Sequence, residues 1–141
     1  VAVGAYVFHR GRMLLMKRAR PPLTYAPPGG HLEIHEDPIE GIRREMREET
    51  GLEITILGVA GAWFGSIDNG RPPLLGIDYF AETKSNAVTL SDEHVNFVWV
   101  SRDDIVTGRV ETLDHWEYGY RPDALLQAFD DYNRLKSRET A

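Results

Sequence analysis

Cysteine is absent from the chain. That excludes disulfide staples and thiolate metal sites, and it fits a reducing, cytoplasmic setting. Long apolar runs are missing too. No stretch approaches the ~20 residues of a membrane helix, and no basic-then-apolar leader opens the sequence, so neither a membrane nor export is expected. The sequence opens on Val1 rather than Met, which leaves room for residues ahead of it. Basic residues are in short supply: 16 Lys and Arg stand against 22 Asp and Glu, for a formal net charge of −6. Nucleic-acid polymers are bound by clustered Lys and Arg, so no such polymer is expected as the main partner. Small phosphate ligands stay open, because they can arrive with divalent cations. The acids are also unevenly spread, with many falling between Glu33 and Glu53.

What is present fits one domain over residues 1–141, since single domains commonly run roughly 100–150 residues. Val1 to Phe8 is rich in Val, Tyr and Phe and reads as a strand, His9 to Arg12 as a turn, and Met13 to Lys17 as the returning strand. Arg20 to Pro28 holds four prolines and reads as a loop. Gly30 to Ile34 is a short extended segment. Glu53 to Phe64, Leu74 to Glu82 and Phe97 to Val100 read as further strands, with Asn69-Gly70 a turn signal. Ser101 caps a short helix to Val106, and Pro122 to Leu135 forms a long one with Leu125, Leu126 and Phe129 apolar. Mostly strands with two main helices suggests α+β, or a mixed sheet between helices.

The clearest helix runs from Asp37 to Thr50. Asp37 serves as N-cap, Pro38 takes the first helical position, and Glu40 completes a D-x-x-E capping box. Ile39, Ile42 and Met46 make an apolar stripe, and Gly51 stops the helix with Leu52 beyond it. Glu45, Glu48 and Glu49 share one face. Arg44 and Arg47 flank them, and Arg44 can reach Glu48. Taken alone, such a cluster is most often a solvated acidic face. Here the carboxylate and apolar stripes are separate, and Pro27-Pro28-Gly29-Gly30 lies just upstream, where glycine lets backbone approach a ligand. A hard divalent cation would resolve the repulsion, because Mg²⁺ favours carboxylate oxygens and water.

Gly30, Glu36 and the run Arg44-Glu45-Met46-Arg47-Glu48-Glu49-Thr50-Gly51-Leu52 together resemble a complete Nudix box, G-x5-E-x7-R-E-U-x-E-E-x-G-U with U aliphatic. All nine defining positions match. The leading hairpin, the Pro-Gly-Gly before the box and a Trp-Val strand at Trp99 also resemble the Nudix hydrolase family. The resemblance implies an α/β/α sandwich around a mixed sheet. It implies hydrolysis of a nucleoside diphosphate linked to another group, with Mg²⁺ as cofactor and Mn²⁺ able to substitute. It implies Glu45, Glu48 and Glu49 as metal ligands, Glu36 as an accessory acid, the Gly29 carbonyl as a backbone ligand, and Arg44 as the residue that orients the carboxylates. The general base stays open between Glu45 and Glu93, which lies six residues before Trp99.

Other residues carry weaker signals. Arg18 ends the second strand and could clamp a phosphate, with Gly30 beside the substrate; an ordinary surface arginine is the more common case. His31 and His35 beside the box could be metal neighbours, although solvated or structural histidines are more common. Tyr25, Trp63, Phe64 and Phe80 could stack on a base, although most such rings belong to a core. The aromatic cluster of His115, Trp116, Tyr118 and Tyr120 either closes the pocket or packs against the last helix, and packing is the expected case. Pro-Gly-Gly-His-Leu-Glu from Pro28 resembles branches acting on nucleoside triphosphates, including the MutT-like group. ADP-ribose or ADP-sugar hydrolysis stays open through Pro72 and Pro73, although Asp68 stands where that branch often has proline. A catalytically silent nucleotide-binding regulator is the reading from another class, and no box glutamate is lost to favour it. A calcium-binding protein is disfavoured because no EF-hand loop is present. A homodimer stays open.

Overall fold

The opening strand has few polar residues because it is buried on both sides. The computed structural model describes residues 1–66 and 70–140. It places β1 (Ala2–His9) at the centre of a seven-stranded sheet. Val3, Ala5 and Val7 face one side of the sheet; Tyr6 and Phe8 face the other. β2 (Arg12–Arg18) returns through Arg10 and Gly11. Both have positive φ, 50° and 78°, as a two-residue turn between right-twisted strands requires.

That hairpin pairs only near its closed end, at Phe8–Met13 and His9–Arg12. Further on the two strands part. β3 (Tyr25–Ala26) pairs with β2, while β4 (Gly29–His31) pairs with β1. The proline-rich segment read as pure loop therefore contains a short strand, β3. On its other edge β1 runs parallel to β6 (Leu74–Glu82), which pairs antiparallel with the edge strand β5 (Thr55–Gly65). β7 (His94–Val100) pairs with β2 and starts three residues earlier than its apolar stretch suggested. The sheet is mixed, as the sequence led us to expect. The Asn69-Gly70 turn signal and Asp68 lie wholly or partly outside the described residues.

Helices cover both faces, giving the α/β/α sandwich. α1 (Pro38–Thr50) lays Ile42 and Met46 against Val3, Val7, Leu14 and Tyr79. α2 (Arg102–Val106) and α3 (Pro122–Thr140) cover the opposite face with Ile105, Leu125, Phe129 and Tyr132. Each fully buried side chain of this kind contributes about 1.5–3 kcal/mol. Phe8 stacks on Tyr132 with centroids 3.7 Å apart and meets Phe129 edge-on at 5.4 Å. α3 continues past Leu135 because its last turns are polar and solvated, where apolar periodicity gives no signal. Among the described residues, no helix is long and apolar enough to cross a membrane.

The helix signals in α1 hold with three corrections. Asp37 caps the helix by accepting from the Ile39 and Glu40 backbone N–H groups, and Gly51 ends it with φ 72°. Glu40 does not complete the capping box; its carboxylate turns to Arg43. Ile39 is 38% exposed and outside the core. Glu49 is buried at 3%, so the acidic and apolar stripes are not fully separate.

Candidate active site

The gap where β1 and β2 part is filled by Pro28, Gly29 and Gly30. A Cβ on Gly29 would overlap the Val3 carbonyl, and one on Gly30 would overlap the Glu45 carboxylate. Glycine at both positions lets β4 lie flush on β1 while α1 brings its acids against the backbone.

Arg44 organises those acids. Its Nε donates to Glu36 Oε2 at 2.7 Å and its Nη2 to Glu36 Oε1 at 2.9 Å. Nη1 donates to Glu45 Oε1 at 3.0 Å and Glu48 Oε2 at 3.1 Å. Nη2 also donates to the His31 carbonyl. The forked bond lowers the Glu36 carboxyl to about 2, and Arg44 is held protonated chiefly by the same bond. The second flanking arginine behaves differently: Arg47 turns away to Glu53, 2.7 Å distant. One guanidinium therefore faces three helix and loop carboxylates, with Glu33 at 3.6 Å as a fourth.

Glu49 points the other way, inward. Its Oε2 is buried with no hydrogen-bond partner. Burial, then a hydrogen bond with Glu93 and the charge of Glu45, raise its carboxyl to about 9; a bond from the Gly29 backbone opposes this. Glu45 is also raised, mainly by burial and against the pull of Arg44. Glu93 sits on the turn before β7, which is anchored by the Ala19 N–H to the Glu93 carbonyl at 3.0 Å. The chain thus brings Glu93 to the box helix, 44 residues away in sequence from Glu49. Arg18 ends β2 at the same place, pairing in register with His94; its Nε and Nη2 donate to the Arg20 and Pro21 carbonyls. His94 Nδ1 is buried without a partner, and burial lowers the ring's pKa.

Arg44 draws Glu36, Glu45 and Glu48 to one side while Glu49 turns to Glu93. Among the described residues, no three acids or histidines therefore already converge on one point as metal ligands. The donors nonetheless fit a hard divalent cation. An orphaned carboxylate oxygen, Glu49 Oε2, lies buried beside Glu45 and Glu93. Buried carboxylates of this kind are stabilised by a metal or by protonation. His31 and His35 are exposed, as read. Trp116 and Tyr118 are 70% and 41% exposed, contrary to the expected packing. Asp114 Oδ1 accepts from both their backbone N–H groups and holds them on a tight loop. Of that aromatic cluster Tyr120 alone reaches the core. Phe80 is core and Phe64 is 76% exposed.

One buried acid escaped the sequence reading. Asp78, in the middle of β6, is 9% exposed. Its signal was available: a carboxylate in the middle of a strand that is otherwise apolar up to Glu82.

The chain belongs to the NUDIX domain family, whose model matches residues 1–123. A MutT-like protein of Streptomyces ambofaciens is 28% identical over 102 residues, 72% of this chain and 63% of that protein. The m7GpppN-mRNA hydrolase of Xenopus laevis is 37% identical over 68 residues, 45% of this chain and 22% of that protein. The chain thus spans less than two thirds of the length of both. The crystal structure of a NUDIX family hydrolase from Clostridium perfringens shares the fold. Its TM-score is 0.76 at 19% identity, covering 92% of this chain and 95% of that one.

Proposed function

We propose that this chain hydrolyses the diphosphate linkage of a nucleoside diphosphate joined to a second group. Nucleoside triphosphates and modified nucleotides are the first class of substrate, and Mg²⁺ is the metal. The observation that carries the reading is the buried Glu49 carboxyl, whose Oε2 has no hydrogen-bond partner, beside Glu45 and Glu93 on a complete Nudix box. The family's dependence on divalent metals and its nucleotide substrates agree with it.

Glu45, Glu48 and Glu49, with the Gly29 backbone, would hold the metal. When bound, a divalent cation neutralises charge on the diphosphate and makes water a better nucleophile. The chain's own residues do the rest. Glu36 grips Arg44 with both oxygens, so its part is to fix the guanidinium; Arg44 in turn holds Glu45 and Glu48 in place. Glu93 takes the proton from the attacking water, since it is a loop acid already in contact with Glu49. Arg18 supplies a positive charge for phosphate at the same end of the sheet, and Gly30 keeps the approach open.

The test is a screen of nucleoside triphosphates, ADP-sugars and dinucleoside polyphosphates with Mg²⁺, reading released phosphate or pyrophosphate. At least one class should turn over, and chelation or Glu49→Gln should abolish it. Nucleotide binding without hydrolysis of any class would identify a silent regulator instead.

A further inference from the structure

One edge of the sheet is open. β5 pairs with β6 on its inner side, and its outer side meets no other strand among the described residues. None of its 11 residues is buried. A methyl group added at Gly58, Gly61 or Gly65 would meet nothing within 4 Å, so the described chain does not cover the strand there. An open edge presents a row of unpaired N–H and C=O groups, and proteins usually blunt it with charge, proline or a short strand. β5 is long and carries neither a charged residue nor a proline. Its protection is limited to two bulges, between Ile56 and Gly58 and between Val59 and Gly61.

The side chains along that edge form a matched pair. Val59 stands opposite Tyr79 of β6, and Phe64 stands opposite Leu75. Tyr79 and Leu75 are an even number of residues apart, so Val59 and Phe64 share one face of the sheet. It is the α1 face, since Tyr79 packs with Ile42 and Met46. The helix leaves this end of the face uncovered: Val59, Phe64 and Leu75 are all exposed. Val59 and Phe64 lie either side of Gly61-Ala62. A two-fold axis through that point, normal to the sheet, runs two β5 strands antiparallel and sets each Phe64 against the partner's Val59. Such an arrangement suits a copy of the same strand, because an isologous interface must be complementary to itself. Charge agrees with it. The chain carries a net charge of −6, so two copies repel one another unless they meet through an uncharged surface.

We propose that two copies of this chain associate through β5, antiparallel and edge to edge, joining their seven-stranded sheets into one. The interface closes on itself, because pairing uses up the open β5 edge of both copies. One strand pair with a small apolar patch belongs at the low end of interface sizes, near about 1,000 Å² in total. The dimer therefore forms at micromolar rather than nanomolar concentrations. None of the box acids takes part in the contact, so association does not depend on which nucleotide the chain takes.

The experiment is sedimentation velocity over a micromolar to submillimolar concentration series, on the wild type, Val59→Lys, Phe64→Glu and the double variant Val59→Lys/Phe64→Glu. The wild type should pass from monomer to dimer and to nothing larger. Each single change removes an apolar contact on both sides of the axis and buries a charge, so the dissociation constant should rise about tenfold or more. In the double variant each new ammonium faces the partner's new carboxylate, and most of the loss should be recovered. Within one copy the two positions stand roughly 14 Å apart along the strand, too far for a direct ion pair. A wild type that stays monomeric throughout leaves the edge to a different partner and overturns the proposal, whether or not the variants fold. A dimer that both single variants leave intact overturns it, as does a double variant no better associated than the singles. Species larger than a dimer that grow with concentration overturn it too, since the pair is closed.

Discussion

At the scale of single residues, the chemistry of the site depends on which acids Arg44 does not hold. Glu36 and Glu48 are tied to it, and Glu45 shares it. Glu93 is not among its partners, and it faces Glu49. A carboxylate used for proton transfer contributes typically 10²–10⁴-fold to rate. Glu93→Gln should therefore lower kcat by about that much and leave the Mg²⁺ concentration for half-maximal rate nearly unchanged. Wild-type kcat in this variant would return the role of base to Glu45. Asp78 gives a second residue-level prediction, from its carboxyl raised to about 6 by burial. The folded group binds its proton more tightly than the unfolded one, whose pKa is 3.8. Stability from this group is therefore complete below pH about 4 and is lost as pH rises through about 6, by roughly 3 kcal/mol. Tyr6 and Tyr120 stay neutral across that window. Asp78→Asn should gain on the wild type by this order between pH 4 and 7 in denaturant titrations; parallel stability curves would refute it. The box acids were legible because their spacing is a helical period with a matching motif. Asp78 was overlooked because one acid inside a largely apolar strand is a weak signal until the sheet shows what surrounds it.

At the scale of elements, β4 and α1 touch through a glycine. Gly30→Ala places a methyl group where the Glu45 carboxylate lies. Either β4 lifts from β1 or Glu45 swings away from Arg44. Turnover should fall at least tenfold, with a melting temperature lowered by the few degrees that about 1 kcal/mol represents. Activity and melting both at wild-type values would show that the two elements do not meet there. α1 was legible almost to the residue, since Asp37, Pro38 and Gly51 mark its ends with different chemistry. Its burial was less so: Ile39 was read as core and Glu49 as surface, because a stripe of residues does not say how far the sheet extends beneath the helix. β3 was missed for a related reason. Two residues, Tyr25 and Ala26, cannot display alternation, and four neighbouring prolines argue for a loop; pairing with β2 makes them a strand.

At the scale of the whole molecule, the site joins parts from the two halves of the sequence: β2, β4 and α1 before Gly51, and the Glu93 turn after it. Their mutual repulsion is a cost of the folded state alone, so an ion that binds there should stabilise the fold by mass action. Millimolar Mg²⁺ should raise the melting temperature, modestly alone and further with a non-hydrolysable nucleotide, since Mg²⁺ sites are often completed by phosphate. The same shift in Glu49→Gln would mean that the ion binds elsewhere. The layered architecture was legible through the box resemblance more than through periodicity. Periodicity gave strands and helices but could not show that β1 and β2 part company, because register is set by partners far away in sequence.

The tight loop stabilised by Asp114 has an optical consequence. It places Trp116 in water, while Trp63 lies against Asp78 and Trp99 donates to the Asn86 carbonyl. The three indoles should therefore emit as distinct populations, with the red-shifted part coming from Trp116. Asp114 and Glu117 stand beside that ring in sequence, so caesium should quench this part more efficiently than iodide does.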